Sequence, residues 1–414
     1  MIKTISFSQV ESLLNNQIDN NILLENEGEP PIAINLIGDA GIGKTSIVQE
    51  LAESRGMNFI KLNLAQLDEI GDLIGYPQNE VEVQMFKLKQ EGDKVTRIPI
   101  GKTWTTHAAL KNVNPKQYML TGNTRMGYAK PAWWPEYNEN GTIFLLDDFT
   151  RCTPVFSQAV MDLIKDREYM TRKLPEKTTV MLTSNPDNGN YNVVGLDKAQ
   201  QGRCMNYKVE FDADTWAQWA EKNKIDSRCI SFALMYAKEL FDSDEEGNSV
   251  ADPRSFTMFC RAIKGVKDWE NPDSLDFIQL ISSGCFSDEK GQFGAMFSTF
   301  IAQKMHLLIN PKDLLLKKWD TIADKLNEQI YKDGRYDTAV ASLIERRFTN
   351  YVIAWLDSDG EHPIAVLKDR IVEFIKHNIF KQDMYYHMIQ SITKVHKAQT
   401  GKLMFEPLIA NKVL

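Results

Sequence analysis

The stretch that decides the fold begins with a short apolar run, Ile32-Ala33-Ile34-Asn35-Leu36-Ile37, and continues directly as Gly38-Asp39-Ala40-Gly41-Ile42-Gly43-Lys44-Thr45-Ser46. The apolar run predicts a buried parallel strand. The residues after it fit the pattern G-x-x-x-x-G-K-[ST], and a helical repeat of apolar residues follows. Glycines let such a backbone curl so that successive N–H groups converge at the start of a helix. A strand, a glycine-rich loop and a helix in this order predict a phosphate-binding loop over residues 38–46.

Two side chains of this loop have predicted chemical roles. Lys44 is expected to reach the β- and γ-phosphates of a nucleotide, and the Thr45 hydroxyl is expected to ligate Mg²⁺. The predicted ligands are therefore ATP and Mg²⁺.

A second apolar run ends in two acids, Ile143-Phe144-Leu145-Leu146-Asp147-Asp148. Phosphoryl-transfer sites use one such carboxylate to hold the metal and another residue to orient the attacking water. Asp147 is predicted to be the metal-linked carboxylate, and Asp148 the water-activating one. The alternative is an acid pair that only caps the next helix, and the Lys44 motif upstream argues against it.

Strand-like and helical patterns alternate through the first half of the chain. Apolar runs recur at residues 59–64 and 179–183, and residues 155–168 show a helical repeat. Strands that alternate with helices predict an α/β core with a parallel sheet. Helical patterns take over from about residue 212. We predict an α/β core over residues 1–211, a helical domain over 212–310 and a helical C-terminal extension over 311–414.

Further segments, in order, resemble AAA+ ATPases of the MoxR and dynein-related group. Residues 145–152 resemble the group's L-x-D-E-[IL]-N-R-A, and residues 180–186 resemble its sensor-1 strand. Residues 196–203 resemble the segment that ends in the arginine finger, and residues 252–255 resemble sensor 2. The likeness spans roughly residues 30–310. It implies a P-loop AAA+ core, with a parallel sheet and helices on both faces, followed by an α-helical lid.

The resemblance also implies roles for three residues outside the loop and the acid pair. Asn185 would lie near the γ-phosphate and the attacking water, Arg203 would be the arginine finger, and Arg254 would contact the γ-phosphate from the lid. Ordinary surface ion pairs are the alternative for both arginines, and a turn-forming role is the alternative for Asn185. Asp148 stands where the group has glutamate and is one methylene shorter, which predicts slow hydrolysis. Cys204 follows Arg203 where the group usually has Phe.

An insert over residues 78–132 interrupts the core. Residues 80–88 and 95–100 flank a glycine-containing turn, which predicts a β-hairpin, and its position resembles the helix-2 insert hairpin of the MoxR group. The insert holds nine Lys or Arg against four Asp or Glu, with Trp104, Tyr118 and Tyr128 between them. Two interpretations stay open: a surface that grips substrate or nucleic acid, or a solvated insert that packs on a neighbour.

Composition limits the other possibilities. The formal net charge of −8 argues against a surface that is basic overall. Five cysteines, scattered singly, predict reduced thiols rather than a disulfide framework or a zinc site. Apolar runs fall short of the ~18 residues that a bilayer needs, and the first residues do not resemble a signal peptide. We therefore expect a cytoplasmic protein without membrane contact.

The leading functional hypothesis is an ATP hydrolase that assembles with itself into a hexameric ring and remodels protein partners. A partner that carries a von Willebrand A-type domain is one candidate. The alternatives are a nucleic-acid motor or loader, supported by the basic insert alone, and a nucleotide-gated scaffold that hydrolyses slowly.

Overall fold

The computed structural model describes residues 2–91, 94–170, 172–187, 193–243, 249–286, 291–358 and 360–413. They form two compact units. The first contains most of the chain up to Val209, and the second contains the chain from Glu210 onward together with the short segments Ser6–Ser8 and Ala40–Gly43. Each unit has its own hydrophobic core.

The first unit is built around β-sheets. In chain order its strands are β1 (Lys3–Ser6), β2 (Ala33–Ile37), β3 (Asn58–Asn63), β4 (Pro77–Glu91), β5 (Lys94–Thr105), β6 (Tyr118–Tyr128), β7 (Thr142–Asp147), β8 (Glu168–Tyr169), β9 (Arg172–Lys173), β10 (Thr178–Ser184) and β11 (Cys204–Glu210).

The central sheet has the order β1-β11-β2-β10-β7-β3, and its neighbours from β11 to β3 pair in parallel. Every residue of β7 and β10 is buried, because a parallel strand in the middle of a sheet is covered on both faces. The apolar runs predicted as strands at residues 32–37, 59–64, 143–146 and 179–183 are confirmed within a residue or two. The predicted architecture, an α/β core with a parallel sheet followed by a helical part, is also confirmed.

The insert forms a separate antiparallel sheet with the order β5-β4-β6. The predicted hairpin is confirmed as β4 and β5, and its predicted turn at residues 92–93 lies outside the described residues. The third strand, β6, was not predicted. Most of its residues are exposed, so it lacks the one-sided apolar alternation that marks a half-buried strand.

Helices connect these strands: α1 (Phe7–Asn26), α2 (Lys44–Ser54), α3 (Ile70–Ile74), α4 (His107–Leu110), α5 (Pro154–Ala159), α6 (Met161–Lys165) and α7 (Lys198–Gln201). The helix predicted over residues 155–168 is thus two helices that meet at Val160, where ψ is 3°. The second helix ends early because Arg167 takes a left-handed backbone with φ 57°. Strand β1, before α1, was also not predicted.

The second unit is helical, apart from the short hairpin of β12 (Tyr331–Lys332) and β13 (Arg335–Tyr336). Its helices are α8 (Ala213–Lys222), α9 (Ser227–Met235), α10 (Ala237–Phe241), α11 (Pro253–Ala262), α12 (Pro272–Cys285), α13 (Gln292–Ala302), α14 (Pro311–Leu316), α15 (Ala323–Ile330), α16 (Thr338–Leu356), α17 (Ile364–Lys376), α18 (Gln382–Val395), α19 (Lys397–Thr400) and α20 (Pro407–Val413). One core runs from Trp216 to Ile409. The proposed division into a lid and a C-terminal extension near residue 310 stays a prediction.

Hydropathy adds one finding about the helices. Within the described ranges, no helix combines the length and the apolar character that crossing a bilayer requires.

Candidate functional site

The candidate site lies at the carboxyl ends of β2, β10 and β7 in the first unit. Parallel strands bring their carboxyl ends to one edge of the sheet, and ligands of open α/β sheets bind there. Gly38 follows β2, and its N–H donates to the carbonyl of Ser184 at the end of β10, with an N–O distance of 3.1 Å. Ser184 pairs with Ile37, and Leu182 pairs with Leu146 of β7. The ends of the three strands are therefore held in register.

The predicted phosphate loop connects β2 to α2. Gly41 and Gly43 have φ values of 82° and 99°, a left-handed region that glycine enters without strain. Helix α2 begins at Lys44, so the loop ends at the positive end of an 11-residue helix. The strand–loop–helix geometry predicted for residues 38–46 is present.

The ammonium of Lys44 is buried beside the loop, with 7% of the residue exposed. Its Nζ donates to the carbonyls of Gly38 and Asp39 at 2.7 and 2.8 Å and reaches Oδ1 of Asn185 at 3.4 Å. A charge this deep needs such partners, and they hold the cation at the strand ends.

The first acid of the predicted pair, Asp147, ends β7. Its Oδ1 accepts hydrogen bonds from the hydroxyls of Thr45 at 2.7 Å and Thr183 at 2.6 Å. Its Oδ2 lies 3.9 Å from the ammonium of Lys61. A carboxylate beside a threonine hydroxyl is the hard-oxygen donor set that Mg²⁺ prefers, so Thr45 and Asp147 fit the metal predicted for them.

The second acid, Asp148, leaves the strand in a left-handed conformation, with φ 53° and ψ 40°. Aspartate tolerates this region better than most residues. Consecutive side chains of a regular strand point to opposite faces. Because of this turn, the Asp148 carboxylate nevertheless lies at the same edge of the sheet as the Asp147 carboxylate. The Asp148 N–H donates to the Thr183 hydroxyl at 3.0 Å, and its Oδ1 accepts from Nδ2 of Asn185 at 3.2 Å.

Asn185 joins the cation to the second acid. Its oxygen faces Lys44 and its amide nitrogen faces Asp148, the orientation that the two charges require. Its own backbone is locked by Thr150, whose hydroxyl accepts from the Asn185 N–H at 3.0 Å and donates to the Asn185 carbonyl at 3.3 Å. The structure therefore brings together Lys44, Asn185 and Asp148, as the sequence predicts.

Two residues of this arrangement, Thr183 and Thr150, were missed by the sequence analysis. Both are at least 95% buried, and both hold residues of the candidate site. Each threonine lies in or beside an otherwise apolar buried strand, and this position was the only sign in the sequence that its hydroxyl has a partner. Threonine is common in strands, so the position alone did not identify either residue.

Arg203 belongs to the first unit but is not joined to this cluster by the hydrogen bonds of the described residues. Its guanidinium donates to the carbonyl of Ala199 at 3.1 Å, so it lies against its own short helix α7. Its role as an arginine finger stays a prediction.

Arg254 belongs to the second unit, in the first turn of α11. Asp252 caps this helix by accepting from the Arg254 N–H at 2.8 Å. The loop residue Gly41, which belongs to the same unit, lies against both: a Cβ on Gly41 would be 2.6 Å from Asp252 Oδ1 and 3.1 Å from the Cβ of Arg254. Glycine is thus required at position 41 by space as well as by φ. The contact of Arg254 with a γ-phosphate stays a prediction.

The two cysteines of the first unit, Cys152 and Cys204, are poor nucleophiles. Burial raises the pKa of the Cys152 thiol and the Cys204 thiol to about 11, so both are protonated at neutral pH. Thiol chemistry by these two residues is therefore disfavoured.

No protein-family model and no curated protein sequence matches the chain. Among solved structures, it is similar to a protein described as a putative ATPase from Cytophaga hutchinsonii, with a TM-score of 0.29 and 14% sequence identity. The match covers 73% of this chain and 89% of that one.

We predict that Thr183→Val destabilises the protein more than Thr178→Val. Both threonines lie on β10 and are 1% exposed, but the Thr178 hydroxyl donates to a neutral carbonyl, that of Pro175. Loss of a hydrogen bond to a charged group costs about 2–3 kcal/mol, against about 1 kcal/mol for a neutral one. Urea unfolding curves of the two variants measure the difference. Equal losses would show that the bond from Thr183 to the Asp147 carboxylate is not formed.

Proposed function

We propose that this chain is a Mg²⁺-dependent ATPase of the AAA+ superfamily, related to the MoxR group. The observation that supports this most directly is the chain of contacts from the Lys44 ammonium through Asn185 to the Asp148 carboxylate, beside the Thr45–Asp147 pair. A cation for phosphates, an oxygen pair for a metal and a carboxylate for water are the parts that phosphoryl transfer to water needs.

In this proposal each residue has one task. Lys44 and backbone N–H groups of the loop after Gly38 would bind the phosphates, and Thr45 and Asp147 would hold Mg²⁺, which would neutralise charge on the phosphate oxygens. Asp148 accepts a proton from the attacking water, and Asn185 orients Asp148 and that water. Arg254 contacts the γ-phosphate as a sensor.

The mode of action proposed is remodelling of protein partners by a hexameric ring, with a von Willebrand A-type partner as one candidate. A nucleic-acid motor is the second possibility, and the basic insert was its support. Two of the insert's cations are already paired with acids, Arg125 with Glu80 at 2.9 Å and Lys102 with Glu82 at 3.5 Å. Arg125 also covers Trp104, 4.5 Å from its ring centroid. This pairing favours a protein partner over a phosphate backbone.

Lys44→Ala should raise the dissociation constant for Mg·ATP about 100-fold or more, because removing a buried charge partner costs about 3 kcal/mol. Equilibrium binding of a fluorescent ATP analogue measures it. Lys61→Ala is the matched control: its ammonium is also near Asp147, but its side chain is 50% exposed, so an effect of about fivefold at most is expected. Unchanged binding in Lys44→Ala would remove the phosphate site from the loop.

Asp148→Asn should bind ATP normally and lower kcat by about 10²–10⁴, because the amide keeps the shape of the side chain and cannot accept the proton. Asp148→Glu should keep or raise kcat, since it restores the longer reach of the related ATPases. Steady-state phosphate release decides both, with the exposed Asp166→Asn as the control. Full activity in Asp148→Asn would show that Asp148 does not take part in the reaction. If the native chain binds ATP without hydrolysing it, the slowly hydrolysing scaffold is favoured instead.

Arg203 should act on the neighbouring subunit of the ring, where an arginine finger contributes about 10³–10⁵ in rate. Arg203→Ala and Lys44→Ala should each be inactive alone. Mixed rings should recover part of the activity, because some interfaces then contain an intact loop and an intact finger. ATPase assays of the mixture measure the recovery. An inactive mixture in which native mass spectrometry detects mixed rings would contradict action in trans.

A further inference from the structure

Three polar side chains cross three adjacent strands of the central sheet, behind the candidate site. Ser184 ends β10, Asn35 is in the middle of β2, and Asn206 is near the start of β11. The Ser184 hydroxyl donates to Asn35 Oδ1 at 2.8 Å, and Asn35 Nδ2 donates to Asn206 Oδ1 at 3.0 Å. Asn35 is fully buried and Ser184 is 1% exposed. We call these three residues the cross-strand relay.

The hydrogen bonds of the relay all run in one direction, from Ser184 as a donor toward Asn206. Nδ2 of Asn206 lies 2.9 Å from the carbonyl of Gln201 and 3.0 Å from that of Cys204. Carbonyl oxygens only accept, so Asn206 must turn its NH₂ toward them and its Oδ1 toward Asn35. Asn35 must then present its NH₂ to Asn206 and its oxygen to Ser184, which makes the hydroxyl of Ser184 a donor.

Stability of the sheet does not require this arrangement. Asn35 is fully buried, and Ala33, its neighbour on the same face of β2, is apolar and 2% exposed, so an aliphatic residue would satisfy the same position. A buried amide contributes little net stability even when paired, but costs about 1–3 kcal/mol when one partner is lost. Such networks are sensitive to geometry, so the relay keeps its strands in one relative position.

The two ends of the relay are two parts of the proposed ATPase. At one end, Ser184 precedes Asn185, and its carbonyl accepts the N–H of Gly38 in the phosphate loop. At the other end, Asn206 closes a turn from Gln201 to Asn206 by binding the Gln201 carbonyl. Arg203 lies inside that turn.

We propose that Asn35 and Asn206 are positioning residues, which set the turn that carries Arg203 relative to the strand that carries Asn185. The inference rests on the proposed function, because positioning Arg203 matters for hydrolysis only if Arg203 contacts the nucleotide of a neighbouring subunit. Loss of the relay then harms the finger that a subunit offers, and leaves that subunit's own Lys44 and Asp148 intact.

The test is subunit mixing with Asn206→Ala. Alone, this variant should bind ATP with native affinity and lose about 10–100-fold in kcat, since a misplacement of about 1 Å costs about 10². Mixed with Lys44→Ala it should recover activity, because Lys44→Ala subunits supply intact fingers to its intact loops. Mixed with Arg203→Ala it should not recover, because neither subunit supplies a positioned finger.

Other outcomes separate the possible failures. Recovery with Arg203→Ala but not with Lys44→Ala means that Asn206 serves its own site, and recovery with neither also overturns the proposal. If Arg203→Ala and Lys44→Ala fail to complement each other in mixed rings, the proposed trans finger fails first and the relay's role falls with it. Asn206→Asp has nearly the same shape but cannot donate to Gln201, and it replaces the alanine variant if that one does not fold.

Asn21→Ala controls for the general loss of a buried amide. Asn21 is 3% exposed in the same unit, and its Nδ2 donates to the carbonyl of Ile32 at 3.0 Å, outside the relay. It should lower the thermal midpoint and leave kcat unchanged at a temperature where both variants are folded. An equal loss of kcat in Asn21→Ala would show that the relay acts only through stability.

Discussion

The carboxylate of Asp147 ties together three elements of the first unit. One oxygen accepts the hydroxyl of Thr45 from α2 and the hydroxyl of Thr183 from β10, while Asp147 itself ends β7. A buried carboxylate that loses such partners destabilises a protein by several kcal/mol, so the three elements must keep this relative position. Lys44 precedes Thr45, Asp148 follows Asp147, and Asn185 comes two residues after Thr183. Fixing three oxygen atoms therefore brings Asn185 within hydrogen-bonding distance of both Lys44 and Asp148.

The central sheet holds the site in place at two levels, its carboxyl edge and the row of side chains behind that edge. At its carboxyl edge lie the charged groups that the proposed chemistry uses, and behind them Asn35 and Asn206 connect β2 to β11 through side chains. Backbone pairing alone aligns these strands, with Asn35 opposite Asn206. The side-chain bonds add a constraint on residues 201–203 that backbone pairing does not supply, because the ladder between β11 and β2 begins at Cys204.

The sequence was sufficient for the parts of the site that are adjacent along the chain. The glycine pattern before Lys44 and the apolar run before Asp147 each specify a local geometry, and parallel pairing then brings them together. Thr183 and Thr150 could not be assigned, because the partner of a threonine hydroxyl depends on the register between strands. Strand β6 was missed because six of its eleven residues are exposed, with exposed residues on both faces. The role proposed for Arg203 requires contact with a second chain, which the pattern of one sequence does not describe.

The insert shows why a count of charges does not describe a surface. Nine basic residues against four acidic ones suggest a strip for nucleic acid, but two of the acids, Glu80 and Glu82, lie where they neutralise cations. Glu80, 8% exposed, binds Arg125, and Glu82 binds Lys102 as well as Thr121 and Asn123. Hydrogen bonds from Thr121 and Asn123 hold the pKa of Glu82 below its usual value, so it stays charged at neutral pH.

Two cations of the insert also lie over aromatic rings. Arg125 lies over Trp104 and Arg97 lies over Phe86, which turns these cations toward aromatic faces of the sheet. Aromatic rings and arginine are enriched where proteins bind proteins, whereas a phosphate backbone is bound by cations free to neutralise it. The contacts within the insert therefore support the proposed protein partner more than its charge count does.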